Sequence, residues 1–370
     1  MSLVVVVSNA AVPEPLTKQL EQLGYEALHA DSVKLATELC ANRQALLVIA
    51  TDVAGAKMLA SEERRVPIVA FIDSAKNRLT REQVIDLWRS GVADLWEWPG
   101  DRQEIASRVA LLNHRRESVA LEAEQTLADH LVEVQRDQRA GRYIQLGMLP
   151  PNPMAIADYR FTHRIEPSLI LSGDFVDYFS ITDQHFVFYV ADVSGHGASS
   201  AFVTVLLKNF SRRIRREYRR SMLTDPGEVL AWLNSELIEQ QIDKHVALFF
   251  AIGDTRSHEL RFVNAGHFPP AILVGKDRSE VLEQPGKPVG LFDAVSYDCG
   301  TVKMNIGDRL VVFTDGVLEV IDGAGLAGKE ANLFGAAQMH STLDELWSGI
   351  GLHGQPCPDD VTCLLVTREA

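Results

Sequence analysis

YVADVSGHGASSAF, residues 189–202, opens as an unbroken apolar run, turns at two glycines and continues as small residues with helical spacing. That pattern predicts a buried β-strand, a tight turn and a helix that other elements can approach closely. One carboxylate, Asp192, stands at the turn. An acid in that place can cap the helix, line a phosphate loop or bind a metal. The rest of the chain has to decide.

Outward from this stretch, residues 148–370 mix strands with helices. HFVFYVADV, VALFFAIGD, HELRFVNAG, PPAILVG, DRLVVFTDG and VTCLLVT read as strands. GASSAFVTVLLKNFSRRIRREY and PGEVLAWLNSELIEQQ read as helices; Asp225 caps the second, with Pro226 at its first position and Glu228 three residues after the cap. Strands grouped around paired helices predict α+β packing with antiparallel sheets.

Asp192 has company. Asp174 and Asp177 lie in SGDFVDYF, Asp315 ends the strand VVFTDGVLE, and Asp359 and Asp360 start PDDVTCLLV. Taken singly, each reads as a turn or cap residue. Taken together, they are acids at the mouths of buried strands, where side chains are held rigidly enough to converge. Gathered carboxylates repel and take up protons unless a cation compensates. Oxygen ligands without a Cys pair or an HxxxH point to Mg²⁺ or Mn²⁺ rather than zinc. Two such ions roughly 3.5–4 Å apart can activate a water against phosphorus. Phosphate monoesters hydrolyse very slowly unaided and suit that chemistry.

The 370 residues suffice for more than one core, and 46% hydrophobic with 23% charged residues is ordinary for a globular chain. A formal net charge of −14 argues against a general nucleic-acid binder. Cys40, Cys299, Cys357 and Cys363 form no CxxC pair, so reduced thiols are expected. MSLVVVVSNA lacks a basic region and a cleavage pattern, and no run is long enough to span a bilayer. These features predict a cytoplasmic protein without membrane attachment.

Residues 1–112 alternate apolar runs (LVVVV, ALLVIA, VPIVAFI, VADLWEW) with amphipathic stretches (PLTKQLEQLGY, SVKLATELCAN, REQVIDLWRSG), the pattern of a parallel sheet covered on both faces. No Gly-rich phosphate fingerprint follows the first strand. The segment resembles the receiver domain of bacterial response regulators, a doubly wound α/β fold, but lacks its chemistry. Ser8 and Asn9 stand where the family has acids, Ala50 where it is phosphorylated, Ile72 at the switching Ser or Thr and Trp98 at the lysine. Asp52 and Asp73 lie nearby and are poor substitutes, so the resemblance implies a pseudo-receiver. Residues 113–147 are charged and helical; Ala120, Leu127 and Val134 recur at seven with Leu131 between, which predicts a short coiled coil and a homodimer through it.

SGDFVDYF, DVSGHG, FTDG and DDVT, in that order, with LGMLPPNP before them and NAGHFPP (264–270) and KPVGLF (287–292) among them, resemble the metal-dependent serine/threonine phosphatases of the PPM family, in their stage II sporulation protein E branch. The likeness covers about residues 143–368 and implies an α+β domain built on a β-sandwich flanked by helices. Carried over position by position, it implies that Asp192 bridges two divalent cations, Mn²⁺ or Mg²⁺, with the Val193 carbonyl a ligand to one. Asp315 and Asp359 would complete the other ion; Asp174 would serve as a ligand or act through water. Asp177 and Asp360 would support, and water activated by the ions would attack, with no protein nucleophile. Catalysis would then rest on Asp192, Asp315 and Asp359.

Ser172 replaces the first glycine of the usual GGDF. His196 could act as a general acid or make a structural hydrogen bond, and Asn264 and His267 read as loop-shaping residues. The basic run RRIRREYRR (212–220) reads as a solvated helix end; docking of an acidic partner is the other reading. The resemblance implies a phosphoserine or phosphothreonine regulatory protein as substrate, an anti-sigma-factor antagonist in a partner-switching pathway. YIQLGMLPP would couple the linker to the catalytic domain. The rival reading is a catalytically silent adaptor that binds a sigma factor or another regulatory partner.

Overall fold

The computed structural model describes residues 2–8, 14–62, 66–74, 78–98, 100–352 and 357–369. The chain divides into two compact units, 1–131 and 132–370.

In the first unit, β1 (Ser2–Val7), α1 (Glu14–Gln22), β2 (Tyr25–Ala30), α2 (Val33–Asn42), β3 (Ala45–Ala50), α3 (Val53–Glu62), β4 (Ile68–Asp73), α4 (Arg81–Arg89), β5 (Asp94–Trp98) and α5 (Arg102–Met148) follow in order. The strands form one parallel sheet in the order β2-β1-β3-β4-β5. It is doubly wound because successive residues serve opposite faces. Val5, Val7, Val48 and Ala50 enter one core with Leu59 and Leu87. Val4, Val6, Leu47 and Ile49 enter the other with Leu16, Leu20, Ile105 and Val109. The continuous apolar strands predicted from sequence are therefore explained by burial on both sides.

Two elements escaped the sequence pattern. β2 (YEALHA) is an edge strand and only partly buried, and α3 (VAGAKMLASE) lacks a strong apolar stripe. Ser8, Ala50 and Ile72 are buried. Asn9 lies outside the described residues, as does the side chain of Trp98. Asp52 accepts from the Gly55 amide at 2.7 Å and so opens α3.

α5 runs 47 residues without interruption, so the linker expected over 113–147 is the later part of a helix that starts at Arg102. Ile105, Val109 and Leu112 are buried in the first unit, whereas Val119, Leu127, Leu131 and Val134 are exposed.

The second unit continues with β6 (Met154–Ile156), β7 (Tyr159–Glu166), β8 (Phe175–Ser180), β9 (His185–Val193), α6 (Ala198–Glu217), α7 (Pro226–Glu239), β10 (Val246–Asp254), β11 (Glu259–Ala265), β12 (Ile272–Val274), β13 (Ser279–Val281), β14 (Gly300–Lys303), β15 (Arg309–Phe313), α8 (Val317–Val320), α9 (Gly325–Met339), α10 (Leu343–Gly349) and β16 (Val361–Arg368). One sheet has the order β14-β11-β10-β9-β8 and the other β13-β12-β15-β16-β7-β6. Within each sheet the pairings of this unit are antiparallel.

Strand alternation sorts the side chains into layers. Val176 and Tyr178 of β8, Phe186, Phe188 and Val190 of β9, Leu310 and Val312 of β15, and Leu364 and Val366 of β16 pack between the sheets. The alternate positions Phe175, Phe179, Tyr189 and Val193 meet α6 and α7 through Leu207, Phe210, Leu230 and Leu233. On the far side Phe313, Cys363 and Leu365 meet Leu333, Leu346 and Trp347 of α9 and α10. The unit is a β-sandwich with helices on both outer faces. As predicted, Asp225 caps α7, its carboxylate accepting from the Gly227 amide at 2.9 Å.

Candidate metal centre

The inward series of each central strand ends in an oxygen-bearing side chain at one mouth of the sandwich. On β9 the inward residues 186, 188 and 190 are followed by Asp192, and on β8 residues 178 and 176 are preceded by Asp174. On β15 the series 310, 312 leads to Thr314, and on β16 the series 366, 364 leads back to Thr362 and Asp360. Asp315 and Asp359 sit beside these in the adjoining turns, both exposed. Gly316, behind Asp315, packs so close to the Asp360 carbonyl that a Cβ would not fit, which holds the two turns together.

Asp174 is 2% exposed. One of its oxygens accepts from the Thr314 hydroxyl at 2.8 Å and from the Thr362 hydroxyl at 2.6 Å. The threonines are themselves tied, the Thr362 amide donating to Thr314 Oγ1 at 2.8 Å. Burial pushes the Asp174 carboxyl well up, and the charge of Asp192 adds to it. Asp192 is raised to about 7, first by burial and then by Asp315, Asp359 and Asp360. Asp315 is raised by desolvation and then by Asp359. Four strand ends far apart in sequence thus share one electrostatic neighbourhood.

Asp360 plays a different part. Its two oxygens accept from the Ser168 amide (2.7 Å), the Ser168 hydroxyl (2.8 Å), the Ser172 hydroxyl (3.0 Å) and the Gly173 amide (2.6 Å). The carboxylate is committed to strapping the loop before β8 onto the start of β16. Ser172, the departure from GGDF, also accepts from the Asp174 amide at 3.1 Å, so its hydroxyl links the two acids. Gln145 of α5 grips the same loop, donating to the Ser172 carbonyl at 2.7 Å and to Thr204 Oγ1 of α6 at 3.2 Å, and accepting from the Ser172 amide at 3.2 Å.

Asp177 lies on the opposite parity of β8 and turns away from the mouth. It is 1% exposed and pairs with Lys208 of α6 at 3.0 and 3.1 Å. His196 is exposed in the turn before α6. Asn264 exchanges hydrogen bonds with the His267 backbone, donating at 2.9 Å and accepting at 2.7 Å, the loop-shaping role expected. His267 is buried and held neutral, its pKa lowered to about 4 by desolvation. In the run 212–220, Arg213 pairs with Glu236 at 2.6 Å and Arg215 lies over the Phe179 ring.

Among the described residues no three His, Cys, Asp or Glu side chains form a finished cage. The acids are electrostatic neighbours rather than a closed shell. The donor set still fits a hard divalent cation: carboxylates raised by burial and by one another, and an Asp174 whose two threonine hydrogen bonds fall on one oxygen only. Sequence reasoning found the carboxylates and missed Thr314, Thr362, Ser168 and Gln145. Both threonines stand inside the quoted motifs FTDG and DDVT, where strand parity points them inward.

The family model described as stage II sporulation protein E (SpoIIE) matches residues 182–369. Among curated proteins the chain is similar to phosphoserine phosphatase RsbP of Bacillus subtilis, 29% identical over 153 residues, 40% of this chain and 37% of that protein. It is also similar to protein IcfG of Synechocystis, 25% identical over 202 residues, 48% of this chain and 32% of that protein. The matches thus span about a third of each relative's length. Among solved structures the SiaA-PP2C domain of Pseudomonas aeruginosa aligns with a TM-score of 0.54 at 18% identity, covering 66% of this chain and all of that one, which speaks for the fold alone.

Proposed function

Because the chain belongs to the stage II sporulation protein E family, we propose that its second unit is a metal-dependent protein phosphatase that removes phosphate from serine or threonine of a regulatory protein. The observation that carries this is the convergence of Asp174, Asp192, Asp315 and Asp359 at one mouth of the sandwich, where each of the first three is pushed toward protonation.

Two divalent cations, Mn²⁺ or Mg²⁺, would supply the Lewis acidity that polarises the phosphoryl group and lowers the pKa of water. Asp192, Asp315, Asp359, Asp174 and the Val193 carbonyl would hold them. The chain's own residues do the rest. Thr314 and Thr362 fix the Asp174 carboxylate, and Asp360 with Ser172 and Ser168 fixes the loop that carries it. Orientation of this kind by outer hydrogen bonds typically governs affinity and activity. No side-chain nucleophile is needed.

The likeness to a phosphoserine phosphatase supports phosphoserine as the group attacked; the regulatory protein that carries it is a small anti-sigma-factor antagonist of a partner-switching pathway, as the motif resemblance implies. The first unit acts as a pseudo-receiver that takes no phosphate, since Ala50 ends β3 where an acceptor would stand. The exposed apolar positions of α5, Leu127, Leu131 and Val134 among them, pair two chains into a homodimer. Gln145 passes the state of that helix to Ser172 and Thr204. A silent adaptor would have no use for the acids, and all of them are present.

Hydrolysis of p-nitrophenyl phosphate and of a phosphoserine protein, measured against Mn²⁺ concentration with Asp192→Ala and Asp315→Ala alongside, tests the enzyme. Activity indifferent to Mn²⁺ or to both substitutions rejects it. Deletion of residues 1–112 should alter turnover at equal metal occupancy; identical kinetics would remove the regulatory part.

A further inference from the structure

Lys244, half-buried in the connection between α7 and β10, closes on the turn that follows Asp192 and Val193. Its ammonium donates to the Ser194 carbonyl at 2.7 Å and to Ser200 Oγ at 3.4 Å. Ser200, fully buried, donates its hydroxyl to the same carbonyl at 3.2 Å. The neighbouring residue adds two more ties. The Ser194 amide donates to the His245 carbonyl at 2.9 Å, and the His245 amide donates to Ser194 Oγ at 3.1 Å. Every polar group of Ser194 is therefore engaged, and Lys244 supplies the strongest donor to its carbonyl.

The turn is shaped around that ammonium. Gly195 has φ +76°, which calls for glycine, and a Cβ there would lie 2.8 Å from Lys244 Nζ and push the ammonium aside. On the other side, a Cβ at Gly173 would lie 3.1 Å from the Val193 carbonyl and 3.3 Å from that of Gly195. The Val193 carbonyl thus lies beside Gly173, next in sequence to Asp174. The Val193 carbonyl and the Ser194 amide share one planar peptide. The ties on Ser194, that of Lys244 among them, therefore hold the Val193 carbonyl on its Gly173 side.

We infer that Lys244 is a positioning residue for the metal loop: through the Ser194 carbonyl it holds the Val193 carbonyl where a divalent cation can take it. The inference rests on the reading of this mouth as a metal centre. Lys244 works through the backbone, because its ammonium is spent on the Ser194 carbonyl and the Ser200 hydroxyl.

The test uses the full chain with Lys244→Met and Lys244→Arg, Mn²⁺ binding by titration calorimetry, metal-free melting, and p-nitrophenyl phosphate hydrolysis against Mn²⁺ concentration. Lys244→Met should weaken Mn²⁺ binding about tenfold, at the low end of what outer hydrogen bonds contribute. Half-maximal activity should move to higher Mn²⁺ by the same factor, and Lys244→Arg should restore binding to within about threefold. Wild-type Mn²⁺ affinity in Lys244→Met overturns the inference. So does an affinity loss that Lys244→Arg shares and that follows a fall in metal-free melting, since that marks a merely structural residue. If the wild type itself fails to bind Mn²⁺ and matches Asp192→Asn, the metal centre falls and Lys244 with it.

Discussion

Replacing Asp192 with asparagine should make the metal-free protein more stable at neutral and alkaline pH. The folded-state pKa of Asp192 is about 7, against 3.8 for the unperturbed group. The difference of about 3 units corresponds to roughly 4 kcal/mol at 1.36 kcal/mol per unit. Partial exposure and coupling to the other acids reduce this to about 2–4 kcal/mol. The sign follows from proton counts. A raised pKa means that the native state binds more protons than the unfolded state between about pH 4 and 7, so stability falls as pH rises through that window. Asp174 and Asp315, also raised, act in the same direction. Asparagine cannot ionise and removes the Asp192 share. Calorimetric melting in EDTA at pH 5 and pH 8 checks it, following the transition that Mn²⁺ raises. At pH 8 the variant should melt roughly 5–10 °C above wild type, and at pH 5 the gap should shrink to about a third of that, because only the first part of the window from about pH 4 to 7 has been crossed. A variant that melts at or below wild type at pH 8, or a wild type that gains stability from pH 5 to pH 8, would refute the reasoning.

Thr362→Val removes one of the two hydroxyls on Asp174, and Mn²⁺ affinity should fall about 10–100-fold by titration calorimetry; unchanged affinity would show that Thr314 alone orients the acid. Asp177→Asn strips the carboxylate from the part-buried Lys208 and should cost about 1–3 kcal/mol in urea unfolding. Its Mn²⁺ affinity should stay within about threefold of wild type, because Asp177 faces α6 and not the mouth; a large loss of affinity would place it at the metal. Adding Lys208→Met to that variant should recover most of the stability.

The strands of the second unit were legible where a long apolar run made them so, as in HFVFYVADV and VALFFAIGD. β7, YRFTHRIE, was harder, because only alternate residues, Tyr159, Phe161 and His163, are buried and the polar ones between them hide the pattern. α9, GLAGKEANLFGAAQM, buries only Leu333, Ala336 and Ala337 and carries three glycines, so its helix depends on tertiary packing rather than propensity. The carboxylates could be read because acids at the ends of apolar strands are conspicuous. Their supports could not. Gln145 sits in a run of polar helix residues with nothing to mark it, and its contacts with Ser172 and Thr204 lie 27 and 59 residues away in sequence. Asp177 and Asp174 look equivalent in SGDFVDYF until strand parity separates them, one facing α6 and the other the mouth.

That parity links the core to the site. The residues that fill the space between the sheets and those that gather at its mouth belong to the same alternating series, aromatic and aliphatic along its length, carboxylate or threonine at its end. A register slip of one residue on β9 would bury Asp192 against α6 and expose Phe188 to the wrong layer, so the hydrophobic pattern that fixes the fold also fixes the acids. At that mouth the two sheets are tied by Thr314 and Thr362 on Asp174 and by Asp360 on Ser172 and Gly173, against mutual repulsion among Asp174, Asp192 and Asp315. A ligand that neutralises them binds the folded state alone and stabilises it by mass action, about 2.7 kcal/mol at a hundred times its dissociation constant. Metal binding and folding of the second unit are therefore linked, and any element that grips the loops at the mouth, as Gln145 and Lys244 do, acts on both at once.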